Sequence, residues 1–125
     1  MDLKEYFEGT AGRGVLATAD SEGKVDVALF GRPHTMDDNT VAFIMPDRLT
    51  HNNLQSNPYS AYLFMEDGEG WKGVRLFLKK VREEKDSELL HSLRRKKYSG
   101  EQEGRYLVFF HVEKVLPLVG PGELS

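Results

Sequence analysis

The chain has 125 residues, 17 basic against 20 acidic, a formal net charge of −3 and no cysteine. This length suits one domain, 1–125, able to bury roughly two-thirds of its unfolded surface without metal or disulfide staples. Disulfides, thiolate metal sites and cysteine nucleophiles are excluded, and the acidic balance argues against a nucleic-acid partner, which normally meets a net basic face. No apolar run approaches the length of a membrane span. Met1 to Glu5 is charged with no apolar h-region behind it, so a cytoplasmic location is expected.

Asp2 to Glu8 can form one or two helical turns with Leu3, Tyr6 and Phe7 on a single face. Gly9, Gly12 and Gly14 follow without the spacing of a dinucleotide fingerprint, ahead of a strand, and read as a linker. Val15 to Ala19 and Lys24 to Phe30 read as strands on either side of the turn Asp20-Ser21-Glu22-Gly23. The second alternates Val25, Val27 and Leu29 against Asp26, Ala28 and Phe30. Continuing that alternation puts Phe30, Arg32 and His34 on one face, an aromatic ring followed by two potential cations. As an edge strand broken by Pro33, the same stretch would leave both polar groups in water. After the turn Asp37-Asp38-Asn39, the run Val41 to Met45 is apolar on both faces, as suits a strand covered on both sides.

Pro46 to Pro58 is the most informative stretch. It reads as a short helix that Pro46 can begin and Pro58 must end. Arg48 and Thr50 fall in its first turn, where backbone N–H groups lack intrahelical partners, an arrangement suited to an anion and above all to a phosphate. The plainer alternative is a connector whose polar residues are merely soluble.

Tyr59 to Met65 makes a fourth strand, Asp67-Gly68-Glu69-Gly70 a turn, and Gly73 to Arg82 a fifth strand. Asp86 suits the N-cap of a helix running through Leu93 to about Tyr98 and closed by Ser99-Gly100. Its basic end, Arg94-Arg95-Lys96-Lys97, complements the helix dipole from a solvated face. Arg105 to Val115 is the last long strand. About six strands at short spacing indicate an antiparallel barrel or sandwich decorated by two or three short helices.

The order of these pieces adds a resemblance. Gly14 to Val25 resembles the opening strand, turn and second strand of the FMN-binding split barrels related to pyridoxamine 5'-phosphate oxidase. Asn53-Leu54 followed by Asn57-Pro58 matches that family's NL..NP signature, and Pro46 to Pro58 looks like its phosphate-binding turn. The resemblance covers residues 10 to 80 well and the C-terminal third weakly. It implies a mainly β, antiparallel six-stranded split barrel that binds FMN non-covalently as a homodimer, with the cofactor in clefts between the subunits.

By the same resemblance Phe30, Gly31, Arg32 and Pro33 line the cofactor, with Arg32 a second phosphate partner. Arg48, Leu49, Thr50 and Asn53 belong to the phosphate turn, and Met45 sits where the backbone flanks the flavin ring, which is compatible with a buried Met filling the core. Trp71 lies in a turn that in dimeric members meets the interface and can approach the partner subunit's flavin; the alternative is a ring folded back over its own barrel. One departure stands out. Many members carry Arg-Lys here, or a lysine three residues before the asparagine; in this chain Leu49 follows Arg48 and Thr50 precedes Asn53, so a hydroxyl stands where a charge is usual.

The implied activity is hydride or electron transfer between the flavin and a small molecule or redox partner. A true pyridoxamine 5'-phosphate oxidase is not expected, since those enzymes are longer and Pro117 to Ser125 offers no basic residue for a second phosphate. His34, His51, His91 and His111 show no metal-ligand spacing, and neither a GxSxG elbow nor a Walker A loop is present. No general base stands out, and a flavin carries the electron chemistry itself. Two other readings stay open: a non-enzymatic flavin or haem carrier or sensor using the same cleft, with His34 or His51 as the nearest axial candidates, and a cofactor-free dimer whose cleft serves protein contacts.

Overall fold

Alternating apolar residues curl one antiparallel sheet around an apolar interior. The computed structural model describes residues 1–37, 39–94 and 104–124. Among the described residues seven strands occur: β1 (Gly12–Ala19), β2 (Val25–Leu29), β3 (His34–Thr35), β4 (Thr40–Pro46), β5 (Tyr59–Glu66), β6 (Gly73–Lys85) and β7 (Arg105–Pro117). They form a single sheet in the order β2-β1-β5-β6-β7-β4-β3, all neighbours antiparallel. No ladder joins β2 to β3, so the sheet is not closed. The described residues also contain three helices, α1 (Leu3–Glu8), α2 (Leu49–Ser56) and α3 (Glu88–Leu93), none long and apolar enough to cross a membrane.

Register explains the interior. Leu16 lies opposite Tyr62, Tyr62 opposite Leu76, and Leu76 opposite Val115, so one face of four strands is apolar along a single row. Phe43 and Val41 add the row from β4 against Val108 and Phe110. Aromatic rings fill the centre: Phe43 is 4.9 Å from Tyr62, 5.7 Å from Phe30 and 5.9 Å from Phe110, in tilted and edge-to-face contacts that favour the ring quadrupoles. Helix α1 closes one end with Phe7 edge-on to Phe64 at 5.2 Å, capped by Asp2, whose carboxylate accepts from Glu5 N–H at 3.1 Å.

A second, smaller cluster lies on the other side of the sheet, where α3 packs Leu90 against Ala42, Leu107 and Phe109. Strand β4 is therefore covered on both faces, as its doubly apolar run requires.

Several sequence expectations need correction. The strand count is seven among the described residues instead of six; the extra one is β3, whose two residues pair with Ala42 and Val41 and are too few to show alternation. Gly12 and Gly14 are strand residues, not linker: a Cβ at Gly14 would sit 1.9 Å from Tyr62 Oη, so the strand accepts only glycine there. Helix α2 starts at Leu49 with Arg48 as N-cap, because Pro46 still belongs to the sheet opposite Arg105. Ser87, not Asp86, caps α3, its hydroxyl accepting from Leu90 N–H at 3.1 Å. The described part of that helix ends at Leu93, and Arg95-Lys96-Lys97, Tyr98 and Ser99-Gly100 lie outside the described residues.

Candidate functional site

The two edges of the sheet meet at a cleft of about 630 Å³. One wall is β2 from Asp26 to Leu29, continued by Phe30, Gly31 and Arg32; the other is Phe43, Ile44 and Pro46 of β4, with His34 of β3. These strands stand at opposite ends of the sheet order, so the sheet curls until its edges face each other across a gap. Helix α2 packs on β1, β2 and β4 at that gap and places Arg48, Leu49 and Thr50 in the cleft.

The start of α2 presents donors of a kind suited to a negative group. Arg48 has extended backbone and its carbonyl accepts the first helical bond, from Asn52 N–H at 2.9 Å. The N–H groups of Leu49, Thr50 and His51 thus precede the helical ladder, where the dipole is positive. The Arg48 guanidinium makes no ion pair or hydrogen bond with the described residues. Thr50 is only 7% exposed, lines the cleft, and has no side-chain partner among the described residues.

Charge reinforces the geometry. The described lining contains Arg32, Arg48, Arg94 and Arg105 against one carboxylate, Asp26, although the whole chain is acidic. Arg32 is also structural, since its Nη1 donates to the carbonyls of Phe7 at 2.8 Å and Thr10 at 3.4 Å. The hydroxyl of Tyr62 lies 3.0 Å and 2.9 Å from the carbonyl oxygens of Phe30 and Gly31, donating to that pair and fixing the end of the β2 wall from inside the barrel.

The ten residues singled out from sequence are distributed as follows. Phe30, Gly31, Arg32, Arg48, Leu49 and Thr50 come together in the cleft lining. Pro33 is buried beside it. Met45 is fully buried in the barrel core. Asn53 is buried and donates through Nδ2 to Thr18 Oγ1 at 3.1 Å, tying α2 to β1. Trp71 is 76% exposed in the β5–β6 turn, where it borders a separate pocket with Arg13 and Glu69.

Sequence reasoning missed Arg94 and Arg105 as cleft residues. In the sequence Arg94 reads as part of a solvated helix end. Arg105 opens β7 directly ahead of the apolar run Tyr106 to Phe110, and that was the available signal; its place opposite Pro46 follows only from the β4–β7 register.

Of the two candidate histidines, His34 lines the cleft. His51 is buried, with Nδ1 3.4 Å from Asp47 Oδ1, Nε2 3.0 Å from Glu83 Oε2, and its ring stacked on Tyr106 at 3.7 Å. Burial pushes the Glu83 carboxyl up, but hydrogen bonds from Lys80, Gln55 and His51 outweigh it and bring its pKa to about 2.

No protein-family model and no curated protein matches the sequence. Solved structures do match. HupZ of Group A Streptococcus aligns with a TM-score of 0.75 at 17% identity, covering 99% of this chain and 97% of that one. An FMN-binding protein from Syntrophomonas wolfei gives 0.74 at 18% identity over 93% and 83% of the two chains. A candidate pyridoxamine 5'-phosphate oxidase from Lactobacillus delbrueckii gives 0.67 at 17% identity over 90% and 88%. At these identities the likeness establishes architecture, and the chain has the split-barrel fold of the proteins related to pyridoxamine 5'-phosphate oxidase.

Proposed function

We propose that the whole chain, 1–125, is one FMN-binding domain that works as a homodimer and transfers hydride or electrons between the flavin and a small molecule or redox partner. The observation that carries this reading is the start of α2: Thr50, a largely buried residue whose hydroxyl has no partner among the described residues, lines the cleft beside Arg48 at the positive end of the helix. A phosphate there would accept from Thr50, Arg48 and the first N–H groups of the helix. The remaining walls, Val27, Leu29, Phe30, Phe43 and Ile44, offer the apolar surface that a flat ring system needs. The similar protein from Syntrophomonas wolfei is itself FMN-binding.

Bound flavin would supply the electron chemistry. The chain's own part is to hold the phosphate, position the ring along β2 and β4, and limit water. One wall is incomplete in a single chain. Val27 and Leu29 line the cleft, yet they are 67% and 83% exposed, and with Val25 they form an apolar row on the outer face of β2. A second copy seated on that face would cover the row and close the cleft, and Trp71 is available in this reading for contact with the partner subunit. The same reading puts the protein in the cytoplasm, without a nucleic-acid or membrane partner.

A non-enzymatic haem carrier or sensor is the second reading, and His34 is the observation that keeps it, since it lines the cleft whereas His51 is held between carboxylates. A visible absorption spectrum of the purified protein, with mass spectrometry of what heat releases, separates the two. A flavin spectrum with released FMN is expected. A Soret band would transfer the site to haem, and a colourless protein that refuses added FMN would end the flavin reading.

A further inference from the structure

A phosphate monoester approaches two negative charges near neutral pH, its second pKa being about 6. The start of α2 offers it one full cation, Arg48. The fold brings a second to the same end of the cleft. Arg105 opens β7 directly opposite Pro46 on the β4–β7 ladder, and Pro46 is two residues ahead of Arg48. Arg105 lines the cleft with Arg48 and Thr50.

Its backbone is held at both ends of the residue. Arg105 N–H donates to Asp86 Oδ1 at 3.1 Å, Gly104 N–H donates to Asp86 Oδ2 at 3.1 Å, and Asp86 N–H donates back to the Arg105 carbonyl at 2.9 Å. Asp86 does this from a left-handed backbone conformation, φ 47°, which among non-glycine residues Asn and Asp adopt most readily. An acidic side chain is thus spent on fixing the point where β7 enters the cleft.

We propose that Arg105 is the second cation of the phosphate site, and that Arg48, Arg105 and Thr50 together select a ligand ending in a phosphate monoester over a phosphodiester or an uncharged one. Asp86 is the positioning residue for Arg105. This rests on the flavin reading and sharpens it: FMN is taken in preference to FAD, whose pyrophosphate has no terminal monoester and carries one charge on each phosphorus, and to riboflavin, which has no phosphate.

The test uses the full chain freed of bound flavin, titrated separately with FMN, FAD and riboflavin by flavin fluorescence at pH 5.5 and 7.5. FMN should bind at least about tenfold more tightly than riboflavin, and more tightly at the higher pH, as its phosphate gains a second charge. Arg105→Gln should weaken FMN about tenfold or more, leave riboflavin unchanged, and flatten the pH dependence. Arg105→Lys should recover part of the loss, and Asp86→Asn should weaken FMN while sparing riboflavin.

Equal losses for FMN and riboflavin in Arg105→Gln would make the residue structural and overturn the proposal. So would an unchanged FMN affinity. Wild-type protein that binds riboflavin as tightly as FMN keeps the flavin pocket but sinks the phosphate selectivity. Wild-type protein that binds none of the three refutes the flavin reading and this proposal together.

Discussion

His51 Nε2 lies 3.0 Å from Glu83 Oε2, and this contact fastens α2, whose start lines the cleft, to the long strand β6. Glu83 also receives Lys80 Nζ at 2.6 Å and Gln55 Nε2 at 3.0 Å, so one carboxylate gathers two residues of α2 and one of its own strand. These donors favour its charged form, which is why its pKa falls from 4.5 to about 2 despite partial burial. A folded-state pKa below the unfolded one means stability that is present in full above about pH 4.5 and is lost as pH falls through about 2.

Glu83→Gln should therefore lower unfolding stability by about 1–3 kcal/mol near pH 7, read by urea denaturation. The gap from wild type should narrow steadily from pH 4.5 towards pH 2. A gap that stays constant over that range would mean that Glu83 acts through packing instead of charge.

The same helix shows what the sequence could and could not reveal. Pro46 and Pro58 constrain backbone within a few residues, so a short helix between two strands was readable, as was its anion-suited first turn. Its true start at Leu49 was not, because Pro46 is kept in the sheet by pairing with Arg105, a residue far along the chain. Arg105 was hidden as a cleft residue for the same reason. The doubly apolar β4 was legible because burial on both faces leaves a continuous apolar run. In β2 alternation gave the strand but not its sense: the apolar set Val25, Val27 and Leu29 faces outward, and nothing local says so.

Gly14 is another tertiary constraint written as an unremarkable letter. A methyl group there would stand 1.9 Å from Tyr62 Oη and 2.3 Å from Cζ, in the fully buried ring that also holds Phe30 and Gly31. Tyr62 cannot swing away cheaply, since its ring packs on Phe43 at 4.9 Å. Gly14→Ala should destabilise the protein by about 1–3 kcal/mol through overpacking and weaken flavin uptake by releasing the Phe30–Gly31 wall. Tyr62→Phe, which loses only the hydroxyl, should cost about 1 kcal/mol. Thermal melts and flavin titrations on both variants check this; a Gly14→Ala protein as stable as wild type would show that β1 has room the geometry denies.

The outward row of β2 bears on assembly. Register extends it inward across the sheet: Val27 lies opposite Ala17, Ala17 opposite Ala61 and Ala61 opposite Phe77, while Leu29 lies opposite Val15 and Val15 opposite Leu63. Single exposed apolar residues are ordinary, but a contiguous face on an edge strand invites a partner. Because Val27 and Leu29 also border the cleft, a partner covering them would affect ligand binding. Leu29→Asp should weaken self-association about tenfold or more in sedimentation, since a carboxylate would have to be desolvated against the partner subunit. It should weaken FMN in parallel. Leu89→Asp, a comparable change on α3 across the sheet, should do neither. If the wild-type protein proved monomeric and Leu29→Asp still reduced FMN affinity, the row would act on the ligand directly, and a second subunit would have no part in the cleft.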